Sequence, residues 1–138
     1  GGIGLENVVG QLTAWNYYQT VDNPVNASFV RDYKAAYGAN KPTSDPMEAA
    51  YTSVFLWKKT VEKAGSFGVK EIQDAADGVS VDAPEGTVTI HGDNHHISKT
   101  ALIGEIRPDG LIHEVWSSGK PIDPDPFLAS YDWAEGLN

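Results

Sequence analysis

Three histidines and an aspartate lie within six residues in the segment HGDNHHISK, which begins at His91. His91, Asp93, His95 and His96 are all residue types that bind zinc, and histidines spaced by four can hold a metal from one face of a helix. However, Gly92-Asp93-Asn94 is typical of a turn, and no other Glu or His has a spacing that would complete the ligand set. We therefore predict a turn with structural histidines, and neither a metal site nor a cofactor.

Other catalytic arrangements are also missing from the sequence. Cysteine is absent, which excludes thiolate metal sites and cysteine nucleophiles. Asp123 and Asp125 alternate with prolines, so we interpret them as exposed turn residues rather than as a pair of catalytic carboxylates. No G-x-S-x-G motif occurs, and no set of Ser, His and Asp can be singled out. The sequence gives no support for an enzyme.

The helix that begins near Asp45 carries the first candidate binding residues. In DPMEAAYTSVFLWKKTVEKAG, we predict Asp45 as the N-cap, Pro46 as the first helical residue, Met47 in the first turn and Gly65 as the end. A helix N-terminus presents unpaired N–H groups, which bind a carbonyl or carboxylate oxygen. Asp45 can instead satisfy these groups itself as a cap. The sequence leaves both roles open.

Aromatic residues at the end of a predicted strand form the second candidate group. Gln11 to Asn16 is predicted to be a short strand, and Trp15 and Tyr17 lie at its end. Aromatic side chains at such a position usually belong to the core, but where a strand meets a loop they also line clefts. Trp15 and Tyr17 therefore have two open interpretations.

Two helices are predicted in the first half of the chain. Asn23-Pro24 starts the first helix, because Asn caps a helix and Pro suits its first position, and Gly38 ends it. The second helix is the one that begins near Asp45. Its apolar stripe is predicted at Ala50, Val54, Trp57, Val61 and Ala64. Phe55 and Leu56 widen this stripe, so we expect the helix to be covered on more than one face.

The second half of the chain changes from helical to alternating periodicity. A short helix over residues 69–76 precedes a strand from Thr87 to His91. Thr100 to Ile106 and Leu111 to Trp116 are predicted to form a hairpin around the type I turn of Arg107-Pro108-Asp109-Gly110. The proline-rich tail is predicted to be irregular.

The net charge excludes one class of partner. Ten basic and nineteen acidic residues among 138 give a formal charge of −9. This charge repels phosphate backbones, so we expect no nucleic-acid partner. No apolar run reaches the roughly 20 residues that span a membrane.

Four segments, in the same order, resemble the C-terminal part of the urea and short-chain amide substrate-binding proteins of ABC transporters. They are LTAWNYYQTVDNP, DPMEAAYTSVFLWKKTVEKAG, DAPEGTVTIHGDNHHISKTALIGEI and the DPDPF tail. The resemblance implies an α/β fold, as the C-terminal fragment of a two-lobed type I periplasmic binding protein like the branched-chain amino-acid binding proteins. It also implies that a signal peptide and most of both lobes precede Gly1.

The same resemblance implies a division of the chain between the two lobes. Residues 1–18 would be the end of a second-lobe segment and a crossing, and residues 19–99 the helical part of the first lobe. Residues 100–138 would be a second-lobe hairpin and the C-terminal tail. Strands of two incomplete sheets need partners, so we expect contact with the remainder of the chain or with a second copy.

The resemblance further implies capture of urea or a short-chain amide by hinge closure and delivery to a membrane permease. In this interpretation Asp45, Pro46 and Met47 face the ligand, and Tyr17 lies at the cleft edge beside Trp15. The location would be periplasmic, or at the cell surface on a lipid anchor. A cytosolic amide-sensing regulator of the same fold is the alternative, and a signal peptide in the gene would distinguish the two.

Overall fold

The structure is a computed structural model that describes residues 2–128 and 130–135. The strands are β1 (Leu12–Trp15), β2 (Ser80–Ala83), β3 (Gly86–Ile90), β4 (Ile97–Ser98), β5 (Leu102–Ile106) and β6 (Ile112–Ser117). The helices are α1 (Pro24–Tyr37), α2 (Asp45–Ala64) and α3 (Val69–Ala75), with short 3-10 turns at Leu5–Asn7 and Asp132–Ala134. Within these described ranges, no helix has the length and hydropathy that crossing a membrane requires.

The strands form two antiparallel sheets of three strands each. Sheet A has the order β1-β5-β6, and sheet B has the order β2-β3-β4. The predicted hairpin is confirmed in sheet A, where Gly110 N donates to Arg107 O at 2.9 Å across the turn. Strand β2 was not predicted from the sequence, because only the alternation in β3 was recognised. The division of the chain into lobes stays a prediction.

Helix α1 forms where the sequence predicts it. Asn23 Oδ1 accepts a hydrogen bond from Asn26 N at 2.8 Å, and Pro24 occupies the first turn. Gly38 follows the last helical residue with φ 115°, a backbone conformation that favours glycine. The cap and the terminating glycine therefore fix both ends of α1.

Helix α2 has the predicted length, but its N-cap and its buried face differ from the prediction. The N-cap is Ser44 rather than Asp45, whose carboxylate accepts a hydrogen bond from Asn16 instead. The buried positions are Glu48, Thr52, Leu56 and Thr60, whereas Val54 and Trp57 of the predicted stripe are 62% and 53% exposed. Periodicity shows which side chains share a face, but not which face has a neighbour.

The core lies between α2 and sheet B. Its buried members are Leu56, Val79, Val81, Ala83 and Val88, with Ile90 and Ile97 packed against them. The two threonines on the inner face of α2 are satisfied locally, because Thr52 Oγ1 donates to Glu48 Oε1 at 2.6 Å and Thr60 Oγ1 donates to Leu56 O at 2.7 Å. This pairing lets a polar residue occupy the buried face without a large desolvation penalty.

Two linkers lead into and out of sheet A and lie against each other. The first linker (residues 16–23) connects β1 to α1, and the second linker (residues 99–101) connects β4 of sheet B to β5 of sheet A. Asn16 Nδ2 donates to Thr100 O at 2.8 Å, which ties the two linkers together. Gly104 of β5 leaves room for the ring of Tyr18, since a Cβ atom at Gly104 would lie 2.7 Å from that ring. Both linkers are therefore packed in place.

Candidate functional site

A cleft of about 410 Å³ lies between the end of β1, the start of α2 and the β5–β6 turn. Four of the five predicted site residues line it: Trp15, Tyr17, Asp45 and Pro46. Met47 does not line the cleft, and its side chain is 44% exposed. Residues 30 positions apart in sequence meet here because the first linker runs along the start of α2.

Asp45 offers the cleft a hydrogen-bond acceptor. Its Oδ1 accepts from the backbone N–H of Asn16 at 3.2 Å, and none of the described residues donates to Oδ2. The N-cap Ser44 forms no side-chain hydrogen bond to the helix, so the first-turn N–H groups have no side-chain cap. Asp45, which lines the cleft, therefore carries both a carboxylate oxygen to which no described residue donates and a backbone N–H at the helix start, whereas Pro46 has no N–H and Met47 does not line the cleft. This pair of an acceptor and a donor suits a molecule that carries both N–H and C=O groups.

Tyr17 lines the cleft with its ring, but the residue is buried and the fold uses its hydroxyl group. The whole residue is 1% exposed, and its hydroxyl donates to Asn26 Oδ1 at 2.8 Å. A second hydrogen bond of 2.8 Å joins the Tyr17 hydroxyl to Thr43 Oγ1. Burial raises the pKa of Tyr17 to about 12, with a smaller contribution from the charge of Glu48. The ring forms part of the wall, while its polar group is fully used.

The opposite wall of the cleft comes from residues that the sequence analysis missed. Leu111 and Ile112 at the β5–β6 turn lie across from Asp45 and Pro46. Thr20 Oγ1 donates to Ile112 O at 2.6 Å, which fixes the turn against the first linker. No local pattern signals this arrangement, because the residues in contact lie about 90 positions apart. Trp15, 49% exposed, is the large aromatic surface available to a ligand.

A buried polar cluster lies directly behind this cleft. Glu48 is fully buried and Glu85 is 5% exposed, and Lys99 Nζ lies 3.0 Å from Glu85 Oε1. Thr52 Oγ1 donates to Glu48 Oε1 at 2.6 Å. Burial, followed by the charge of Glu48, raises the pKa of Glu85 to about 7, and the charge of Lys99 acts in the opposite direction. No local sequence pattern predicts that these carboxyl groups meet.

The His91–His96 segment is a turn, as predicted. His91 N donates to His96 O at 2.9 Å, and His95 N donates to His91 O at 2.8 Å. His91 Nε2 contacts both Ser98 Oγ, at 2.7 Å, and Asp123 Oδ1, at 3.6 Å. In a catalytic triad the serine and the aspartate contact different nitrogens of the histidine ring, so these three residues do not form one. Across residues 2–128 and 130–135, no three His, Asp or Glu side chains are grouped closely enough to hold a metal.

Comparison with known proteins defines the class. Residues 1–132 match the periplasmic binding protein domain family. The chain therefore belongs to the periplasmic binding protein domain family, and its fold is that of a type I periplasmic binding protein. Among its relatives, Leu/Ile/Val-binding protein homolog 6 of Brucella abortus (strain 2308) is 30% identical over 126 residues, which are 86% of this chain and 32% of that protein.

Two further matches extend the comparison. A solved solute-binding protein of an ABC transporter from Rhodopseudomonas palustris HaA2, in complex with p-hydroxybenzoic acid, is 25% identical with a TM-score of 0.75; the match covers 91% of this chain and 35% of that one. A protein named limonene hydroxylase from Geobacillus stearothermophilus is 29% identical over 128 residues, 93% of this chain and 23% of that protein. The chain thus spans between 23% and 35% of these proteins.

Proposed function

We propose that the protein containing this chain is the solute-binding component of an ABC uptake system and that its solute is urea or a short-chain amide. The observation that carries the proposal is the free carboxylate oxygen of Asp45 beside the uncapped start of α2. Urea carries four N–H donors and one carbonyl acceptor, so it needs both carboxylate oxygens and N–H groups around it. The resemblance of four ordered segments to amide-binding proteins supports the same solute.

The relatives suggest competing solutes. The names of the relatives concern branched-chain amino acids and p-hydroxybenzoic acid. A p-hydroxybenzoate anion would bring its own negative charge to Asp45, whose half-buried carboxylate repels it. A branched-chain amino acid is a zwitterion, and its ammonium group would be attracted by the same carboxylate. An uncharged amide avoids the repulsion, so the carboxylate at the cleft favours an amide over a benzoate anion.

Hinge closure is the proposed mechanism of capture. In the proposed division, residues 1–18 and 100–138 belong to one lobe and residues 19–99 to the other. The two sheets are separate and are joined by the first and second linkers, as a hinge requires. Closing the lobes would surround a small polar solute with acceptors and donors and exclude water. The closed protein would then deliver the solute to a membrane permease from the periplasm or from a lipid anchor at the cell surface.

The remainder of the full-length protein, or a second copy of the chain, is the proposed partner of the aromatic face. This face consists of Tyr37, Tyr33, Phe29, Tyr51 and Phe55. Successive ring centroids lie between 4.7 and 6.4 Å apart across α1 and α2. Tyr37 is 68% exposed and Phe55 43%, which is unusual for a continuous apolar surface.

Calorimetry on the full-length protein tests the solute. We expect heat of binding with urea or acetamide and none with leucine or p-hydroxybenzoate. Binding of leucine or p-hydroxybenzoate alone would contradict the amide proposal while leaving the class of protein unchanged. Absence of heat with all four would contradict the assignment of this cleft as the solute site. Release of ammonia from urea would show an enzyme instead.

A further inference from the structure

The buried carboxyl groups of Glu48 and Glu85 lack donors in a place where the fold brings them together. Three of their four oxygens, Glu48 Oε2 and both oxygens of Glu85, are buried without a hydrogen-bond donor. Lys99 Nζ reaches Glu85 Oε1 at 3.0 Å as an ion pair, not as an aligned hydrogen bond. Leaving carboxylate oxygens unpaired in the interior is costly. The two carboxyl groups, which lie near enough to act on each other, therefore need a donor for their unpaired oxygens.

One shared proton resolves both the charge and the missing donor. Two carboxylates and one ammonium give the cluster a net charge of −1 when neither carboxyl group is protonated. A single proton makes the cluster neutral and turns the contact between Glu48 and Glu85 into a hydrogen bond. The pKa of Glu85, raised to about 7 by burial and then by Glu48, agrees with a neutral carboxyl group in mildly acidic solution.

The cluster joins four parts of the chain, of which two, the start of α2 and the first linker, also line the cleft. Glu48 lies in the first turn of α2, one turn after Asp45, and Glu85 lies at the tip of the β2–β3 hairpin. Lys99 belongs to the second linker, and Tyr17 belongs to the first linker. Helix α1 contributes only polar contacts, since Asn23 Nδ2 donates to the backbone oxygen of Pro84 at 2.9 Å. The titratable groups that face the pair are therefore Tyr17 and Lys99.

We propose that Glu48 and Glu85 are positioning residues that share one proton, and that this proton holds the hairpin tip and the second linker against the start of α2. Loss of the proton leaves two adjacent buried anions, which repel each other and loosen the junction behind the cleft. Because Asp45 precedes Glu48 by three residues, the loosened turn also displaces the Asp45 carboxylate. This last part rests on the proposed solute function.

The sign of the pH effect follows from the direction of the shift. The native pKa of Glu85 is higher than its usual value, so the native state binds the proton more tightly than the unfolded state. The stabilisation is complete below the usual glutamate pKa and is lost as the pH rises to about 7. Over this range, hydrogen exchange of the backbone amides in the second linker and the hairpin tip should accelerate by more than the pH-dependent increase of the intrinsic chemical exchange rate. We expect a rise of at least about tenfold in the opening constant between pH 5 and pH 8.

The test uses the full-length protein without solute. Glu85→Gln places a neutral amide donor where the shared proton lies, so its opening constant should not change between pH 5 and pH 8. Glu62→Gln on the exposed side of α2, where Glu62 pairs with Lys58, is the matched control and should keep the wild-type slope. If Glu85→Gln does not fold, Glu48→Gln serves in its place. The proposal is overturned if the opening constants of the wild type and the glutamine variant change equally with pH. It is also overturned if the opening constant of the wild type does not change with pH.

Two further measurements separate this proposal from the proposed function. Infrared spectroscopy of the wild type should show the C=O band of a buried protonated carboxyl group at pH 6 that disappears at pH 9, and its absence at pH 6 overturns the shared proton without any variant. Urea affinity should fall over the same pH range in the wild type and stay constant in Glu85→Gln. If urea does not bind at any pH while the exchange result holds, the shared proton stands and the urea proposal fails.

Discussion

At the scale of single residues, Asp45 shows how one side chain can serve the fold and the site at once. Its Oδ1 fixes the first linker through Asn16 N, and its Oδ2 remains for the cleft. From the sequence, this residue is expected either to cap the helix or to bind a ligand. The cap is Ser44 instead, and neither alternative included a bond to a linker. A hydrogen bond across 29 residues has no local sequence signal, which is why it was missed.

Asp45→Asn should separate the two roles of this side chain. Asparagine keeps an oxygen for Asn16 N–H but presents NH₂ to the cleft, where it faces the donors of urea. We expect urea affinity to fall by at least about 1.5 kcal/mol, the lower end for a hydrogen bond to a charged group. The free energy of unfolding should remain nearly unchanged. Calorimetry and thermal denaturation of the full-length protein measure the two quantities.

The matched control for this change is Asp32→Asn on the exposed surface of α1, where Asp32 pairs with Arg31. It should leave affinity unaltered. If Asp45→Asn binds urea as tightly as the wild type does, Asp45 serves only the linker, and the solute contacts lie elsewhere in the cleft.

The double change His95→Ala and His96→Ala should not alter urea affinity. These histidines belong to the turn between β3 and β4, and neither lines the cleft around Asp45. Some loss of stability is expected, because His95 has φ 56°, a conformation that alanine adopts reluctantly. Calorimetry measures the affinity. A marked loss of urea affinity in a variant that is as stable as the wild type would mean that the turn reaches the solute.

At the scale of elements, the sequence predicts where a helix begins and ends better than it predicts which other elements pack against that helix. Both ends of α1 follow from Asn23, Pro24 and Gly38, which act within a few residues of each helix end. The inner face of α2 could not be predicted, because Leu56 and the exposed Val54 are both apolar and only the fold decides which one is covered. Likewise, Trp15 and Asp45, two of the predicted site residues, line one cleft, whereas Leu111 opposite them depends on contacts across most of the chain.

Gly104→Ala tests the packing of sheet A against the first linker. The new Cβ atom would lie 2.7 Å from the ring of Tyr18 and would also collide with Ile112. We expect a loss of about 1–3 kcal/mol in the free energy of unfolding, as for overpacked cores. Chemical denaturation measures it, with Gly2→Ala as the control, since no atom lies within 4 Å of a Cβ atom there. If Gly104→Ala lowers the free energy of unfolding by no more than Gly2→Ala does, the ring of Tyr18 moves aside freely.

At the scale of the whole molecule, none of residues 2–128 and 130–135 forms a covering layer over a large apolar surface of the chain. The aromatic face and the outer side of α2 are exposed together, including Trp57 at 53% and Val54 at 62%. Helices of soluble proteins normally bury such a stripe against another layer. The chain spans only 23% to 35% of the proteins that it matches, so these relatives have further residues that could form that layer.

The chain expressed alone should therefore associate with a second copy. Light scattering is expected to give a mass above 14.9 kDa that depends on concentration. Replacing Tyr51 and Phe55 with serine should reduce this association, because both rings belong to the aromatic face. Replacing the exposed Phe67, which contacts Trp57 away from that face, is the control. A monodisperse monomer with a cooperative thermal transition would contradict the expectation.

The wall of the cleft opposite Asp45 is the tip of a hairpin, with Leu111 and Ile112 just after the turn at Gly110. A turn tolerates changes in length and side chain far better than the interior of a sheet does. Evolution can therefore enlarge or narrow this site, or exchange its polarity, while both sheets and both linkers stay in place. Divergence of solute preference within one lineage then requires mutations at only a few positions, and grafting this hairpin tip between relatives becomes a practical way to exchange their preferences.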